Sequence, residues 1–255
     1  MRRNPRICPS EGSHIKTYYS SPVFANRLVG RYTVEWDTEQ GLQRLAVCTR
    51  LTDFEGNHPS LRSILSIPQV LASYLERKRR PILRKPLPFL SLEAIQFLDG
   101  IVRPHMKVLE VGAGNSTLWF LSKGVELISV EHSMDWANHV QRYIDNHRSV
   151  FPAPCFQLVI KEGRHATAFV DALRERSLDL VLVDSENDRI SRSAVVRTAR
   201  QKIVSGGWMV LDNSDHPYSW AGADVMSDCE RVQFTGYALM ALQVSQTSFW
   251  KVAMS

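Results

Sequence analysis

The stretch Lys107-Val-Leu-Glu-Val-Gly-Ala-Gly-Asn-Ser-Thr117 decides the fold. Val108, Leu109 and Val111 form an apolar run with the length of a parallel strand buried on both faces, and Gly112 and Gly114 follow at once. Glycine has no Cβ, so the backbone turns sharply there and a ligand can approach the main chain closely. Asn115, Ser116 or Thr117 then caps a predicted helix, Leu118 to Ser122, whose unpaired N–H groups face whatever the turn holds. Gly-x-Gly without a third glycine is a weak fingerprint by itself, so the flanking pattern has to decide.

Downstream, Glu126 to Val130 predicts a second apolar strand ending in Glu131. Its carboxylate lies about twenty residues past the glycines, where an acid accepts both ribose hydroxyls of a nucleoside. Ser133 starts a helix whose Trp136, Ala137, Val140, Tyr143 and Ile144 share one face at helical spacing and are assigned to the core. Further strands are predicted at Phe156 to Ile160, Leu178 to Val183, Trp208 to Leu211, Val232 to Thr235 and Thr247 to Val252. The alternation predicts an open α/β sheet, which binds ligands at the carboxyl ends of its strands near the reversal of strand order. Glu110, Glu131, Asp184 and Asp212 fall at or near such ends.

The block from Lys107 to Val252, the last three fifths of the chain, resembles the class I S-adenosylmethionine-dependent methyltransferases. Glu110-Val-Gly-Ala-Gly114 stands as their first motif and Glu131 as the acid ending the second strand. The resemblance implies a Rossmann-like, doubly wound, seven-stranded and mostly parallel sheet with one antiparallel strand, Gln246 to Lys251 lying in its closing hairpin. It implies S-adenosylmethionine as cofactor, with Glu110, Gly112, Gly114, Asn115, Ser116 and Thr117 around the methionine moiety and Glu131 on the ribose. His132 is implied along the adenine, and Gly163 and Arg164 occupy positions where members place adenine contacts.

A narrower likeness is carried by Leu182-Val-Asp184 and Gly206-Gly-Trp-Met-Val-Leu-Asp-Asn213, which are similar to the metal-dependent O-methyltransferases of the catechol and caffeoyl-CoA type. That likeness implies one magnesium ion bound by Asp184, Asp212 and Asn213, with Asp184 also touching the cofactor. Hard oxygen ligands suit magnesium, which acidifies a bound hydroxyl and holds it for in-line attack. The catechol-type lysine three residues after the first aspartate is Asn187 here, so the base is sought at Asp215 and His216. The expected function is methyl transfer to an oxygen of a small-molecule acceptor. Two alternatives are a nucleic-acid methyltransferase and a non-catalytic partner protein with the same fold.

Composition fits an ordinary globular enzyme: 255 residues, 44% hydrophobic and 22% charged. Residues 91–255 are expected to form the cofactor domain and residues 1–90 an α+β extension, a hairpin and a helix, that caps the substrate. In that extension Tyr32 to Trp36 and Leu42 to Thr49 predict the hairpin, and a helix begins after Pro59 and is interrupted by Pro68. Residues 1–105 carry a net charge of +7 and the remainder −2, with Arg77-Lys-Arg-Arg80 and Arg84-Lys85 as a basic cluster. Arg189, Arg192, Arg197 and Arg200 are assigned to the wet face of a helix. Cys8, Cys48, Cys155 and Cys229 are scattered, which predicts neither a zinc site nor a disulfide framework but reduced thiols in a cytoplasm. No segment has the length and apolarity of a membrane span.

Overall fold

A computed structural model describes residues 16–18, 31–36, 44–49, 51–79, 83, 86–151, 155–241 and 243–253. The amino-terminal part contributes β1 (Lys16–Tyr18), β2 (Arg31–Trp36) and β3 (Arg44–Thr49), joined as a small antiparallel sheet in that order. The turn expected at residues 37–41 lies outside the described residues. Two helices follow, α1 (Leu61–Leu65) and α2 (Ile67–Arg79). The helical run breaks at Ser66, and not at Pro68, because Pro68 sits in the first turn of α2, where its missing N–H leaves no bond unmade. Ser63 of α1 accepts from the Tyr237 N–H at 2.8 Å, and Ser73 of α2 accepts from the Met240 N–H at 2.9 Å. These bonds seat both helices on the carboxyl-terminal hairpin.

The remaining elements alternate. They are α3 (Leu92–Ile101), β4 (Lys107–Val111), α4 (Asn115–Ser122), β5 (Glu126–Glu131), α5 (Met134–Asn146), β6 (Phe156–Ile160) and α6 (Gly163–Asp171). After these come β7 (Leu178–Val183), α7 (Arg192–Ala199), β8 (Ile203–Asp212), α8 (Pro217–Val225), β9 (Glu230–Tyr237) and β10 (Val244–Lys251). The seven strands β4 to β10 form one sheet in the order β6-β5-β4-β7-β8-β10-β9, and β10 runs antiparallel to both of its neighbours. The architecture is the expected Rossmann-like, doubly wound, mostly parallel sheet. Ser91 and Ser133 cap α3 and α5, accepting from the Ala94 and Trp136 N–H groups.

Period-two alternation along β4 separates the core into two layers. Val108 faces Leu98, Phe120 and Val140 on the α3, α4 and α5 side, whereas Leu109 and Val111 face Ala166, Val195 and Ala199 on the α6 and α7 side. Strand order reverses between β4 and β7, whose ends stand level: Val111 pairs with Val130 of β5 on one side and Val183 of β7 on the other. The site is built over those three level tips. Among the described residues no helix is long and apolar enough to cross a membrane.

Candidate functional site

The turn after β4 opens a cleft of about 390 Å³, lined by residues 112–116, by Glu131, His132, Ser133 and Trp136 from β5 and α5, by Asp184 and Glu186 beyond β7, and by Phe89. That volume lies in the range of small-molecule sites. The two glycines have different reasons to be there. Gly112 has φ +105°, and a Cβ on it would lie 2.4 Å from the Asp184 carbonyl oxygen, so the turn is pressed against the end of β7. Gly114 is extended, and a Cβ there would meet nothing within 4 Å. Its missing side chain leaves open space at the cleft.

Glu131 is 4% exposed and organises the cleft floor. One carboxylate oxygen accepts from the backbone N–H groups of His132 at 2.9 Å and Ser133 at 2.8 Å, and the other from the Ala113 N–H at 3.1 Å. His132 Nδ1 lies 2.8 Å from the same carboxylate, and its Nε2 3.6 Å from Glu186. A carboxylate offers about four lone-pair sites, so acceptor capacity remains on the second oxygen for a ligand hydroxyl. Trp136 forms a wall of the cleft, its Nε1 donating to the Ala113 carbonyl at 2.7 Å. It packs against the core as assigned and also borders the cleft, because a half-buried indole needs a partner for its N–H and finds it at the lip of the turn. The open glycine position, the acid and the aromatic walls fit an adenosine-type ligand.

Glu110 is placed behind the cleft. Fully buried, it accepts from the hydroxyls of Thr117 at 2.5 Å and Ser129 at 2.6 Å. Burial lifts its carboxyl to about 7 against hydrogen bonding by Ser116, Ser129 and Thr117. Thr117 in turn accepts from the Gly114 N–H at 2.8 Å, so Glu110 and Thr117 hold the glycine turn from beneath. Gly163 and Arg164 line a separate groove with Asn187, Asp188 and Arg189, away from Glu131.

At the ends of β7 and β8, Asp184 and Asp212 are brought together with Asn213, and a fourth group stands among them. Arg192, assigned by sequence to a wet helix face, is buried. Its guanidinium donates from Nη2 to Asp184 Oδ1 at 3.0 Å, from Nε to the Ser185 carbonyl at 2.7 Å, and from Nη1 to the Asp212 carbonyl. The Tyr218 ring lies 5.6 Å from it. Asp212 Oδ1 accepts from the Thr247 hydroxyl at 2.8 Å. Burial and then the Asp184 charge push the Asp212 carboxyl to about 8. Burial also raises Asp184, against the Arg192 charge beside it. The expected magnesium ligands Asp184, Asp212 and Asn213 therefore do not fit a divalent ion: one oxygen of each acid is committed, and a cation is already bonded to the first. Among the described residues, His, Cys, Asp and Glu side chains form no cluster of three or more that could hold a metal.

Asn187, which stands where the catechol-type lysine would, accepts from the Arg192 N–H at 3.1 Å and so helps start α7. Neither expected base is well placed. Asp215 is 2% exposed, and its two oxygens accept from the N–H groups of Phe54 at 3.0 Å and Gln246 at 3.3 Å. It anchors the loop before α1, and burial raises it to about 7. His216 is packed between Phe54 and Tyr218, with ring centroids 4.5 and 3.6 Å away. Burial, then Arg192, hold it down at about 3, so it is neutral but a poor proton acceptor.

Sequence reading missed Arg192 and the wall residues Trp136, Phe89 and Glu186. The signal available for Arg192 was an arginine at the first position of a helix shortly after a strand-end aspartate. Two acids converging in a buried place need a compensating cation.

With this geometry in hand, comparison with known proteins gives a match over part of the chain. Residues 109–214 match the model of a family described as Methyltransferase domain. No curated protein sequence matches the chain. Among solved structures, the chain is similar to a putative methyltransferase from Thermoplasma acidophilum, with 18% identity and a TM-score of 0.45, over 60% of this chain and 71% of that one. An O-methyltransferase from Bacillus cereus, in complex with SAH, aligns at 13% identity with a TM-score of 0.49, over 73% and 90% respectively. A precorrin-6y C5,15-methyltransferase from Geobacter metallireducens aligns at 15% identity and 0.46, over 63% and 87%.

Proposed function

We propose that the chain, whose residues 109–214 match a methyltransferase domain, is a class I S-adenosylmethionine-dependent methyltransferase that methylates an oxygen of a small-molecule acceptor. S-adenosylmethionine, when bound, supplies an electrophilic methyl group on a sulfonium sulfur. One observation carries the choice of oxygen: Asp184 lines the cofactor cleft with its side chain 26% exposed, and Arg192 holds only one of its two oxygens. A carboxylate in that position can take the proton of an acceptor hydroxyl as the new C–O bond forms and the C–S electron pair leaves with sulfur. Asp212, buried and pushed up to about 8 by burial and by the Asp184 charge, keeps its own proton and leaves the negative charge on Asp184. Glu131 holds the nucleoside end and Trp136 excludes water from one side.

The loop around Asp53, tied to Thr235 at 3.1 Å and to Gln246 at 3.1 Å, covers the ends of β9 and β10, which supports the reading of the amino-terminal extension as the acceptor cap. Part of the basic cluster also makes contacts within the chain: Arg77 donates to the Met240 carbonyl at 3.1 Å and lies over Phe89, and Lys78 lies over Tyr74. The test is S-adenosylhomocysteine release across phenolic, aliphatic hydroxyl, amine, thiol and RNA acceptors. An O-methylated product, with Asp184→Asn lowering kcat about 100-fold or more, is expected. Turnover confined to amines or RNA would overturn the proposal.

A further inference from the structure

We infer that Arg192 is this protein's built-in substitute for a divalent ion, and that the site at the ends of β7 and β8 excludes metal because the guanidinium fills it. The geometry stands by itself, whereas the consequence, metal-independent transfer with Arg192 as a positioning residue for Asp184, rests on the methyl-transfer reading above.

Three contacts define the arrangement. The guanidinium bonds one Asp184 oxygen, the Ser185 carbonyl just beyond β7 and the Asp212 carbonyl at the end of β8, and so bridges the two strand ends that a shared ion would bridge. Its planar fork has several donors in fixed directions, which suits two carbonyls and a carboxylate at once. The side chain is 6% exposed. It is rooted in the first turn of α7, where Ser191 and Asn187 accept from the Ala194 and Arg192 N–H groups, and Tyr218 lies against it. It therefore meets little solvent. A divalent ion entering between Asp184 and Asp212 would meet a fixed positive charge already bonded to one of its ligands, and two like charges at that range repel strongly in a buried place.

Removal of the guanidinium should reverse the preference, since it takes away the fixed positive charge and frees the Asp184 oxygen and the Ser185 and Asp212 carbonyls that it holds. Mn²⁺ titration followed by electron paramagnetic resonance reads this without any acceptor. The unaltered protein is expected to leave the free Mn²⁺ signal unchanged up to millimolar concentration. Arg192→Ala is expected to bind one Mn²⁺ per chain, to lose it when Asp184→Asn is added, and to release it when guanidinium chloride is supplied at concentrations that leave the fold intact. Stoichiometric Mn²⁺ binding by the unaltered protein that vanishes in Asp184→Asn overturns the inference. So does a cooperatively folded Arg192→Ala protein that binds none. If Arg192→Ala and Arg192→Gln both fail to fold, the unaltered protein decides alone, binding counting against and absence counting for. Failure of every acceptor tested, with Mn²⁺ still excluded, would remove the oxygen-transfer proposal and leave the substitution of guanidinium for metal standing.

Discussion

Changing the two glycines of the β4 turn to alanine, one at a time, should give opposite outcomes. At Gly112 the backbone has φ +105° and the new methyl would sit 2.4 Å from the Asp184 carbonyl oxygen and 2.9 Å from the Ser185 nitrogen. Backbone strain of ~1–3 kcal/mol and overpacking of ~1–3 kcal/mol combine to about 2–6 kcal/mol. At ~2–4 °C per kcal/mol for a chain of this size, the midpoint of thermal unfolding falls by roughly 4–24 °C. At Gly114 the backbone is extended and nothing lies within 4 Å. Alanine there should leave stability unchanged or raise it by up to ~1 kcal/mol through the unfolded state. The methyl group enters the cleft instead, and S-adenosylhomocysteine should bind about tenfold more weakly, ~1.4 kcal/mol. Thermal unfolding without ligand and calorimetric titration of S-adenosylhomocysteine measure the two effects separately. Gly112→Ala melting within a degree of the unaltered protein, or Gly114→Ala losing stability rather than affinity, would refute the reasoning.

Glu110 provides a pH signature. Its carboxyl rises from an ordinary 4.5 to about 7 on folding, so the folded state holds the proton more tightly than the unfolded one. The associated stability is full below pH 4.5 and is lost as pH rises through 7, a change of roughly 3 kcal/mol. Glu110→Gln should therefore gain on the unaltered protein in thermal midpoint as pH rises from 5 to about 7, and parallel melting curves across that range would contradict the assignment. Glu131→Gln keeps a carbonyl oxygen for the His132 and Ser133 donors, gives up the acceptor of the Ala113 N–H, and should weaken S-adenosylhomocysteine by about tenfold. Glu131→Ala strands three N–H groups at ~1–3 kcal/mol each and should lower the melting point as well. Equal melting points for the two would show that those bonds do not hold the loop. Asp53→Ala removes the acceptor of the Asn57 and Gln246 amides and should speed proteolysis within residues 51–58 while S-adenosylhomocysteine affinity stays constant. Unchanged cleavage would separate this loop from the proposed cap.

Where sequence reading succeeded, the physics was local. Ser91 and Ser133 cap helices because a short hydroxyl side chain at a helix start meets a nearby N–H. The strands Phe156–Ile160 and Leu178–Val183 were legible as apolar runs, because burial on both faces leaves no polar position. Glu131 was legible because its role depends on a fixed distance along one β-α-β unit. Gly112 was legible as necessary, although for a reason the sequence does not contain: the Asp184 carbonyl, seventy-two residues later, presses on it.

By itself, then, the sequence determined the order of strands and helices, the glycine turn and the acid at the cleft floor, because periodicity, capping and turn sterics act between neighbours in the chain. Tertiary structure alone decided that Arg192 turns inward between Asp184 and Asp212, that Asp215 is sealed under Phe54, and that Glu110 faces away from the cleft. A charged side chain goes inside only when partners from distant segments converge to satisfy it, and that convergence is created by the packing of the sheet and its helices.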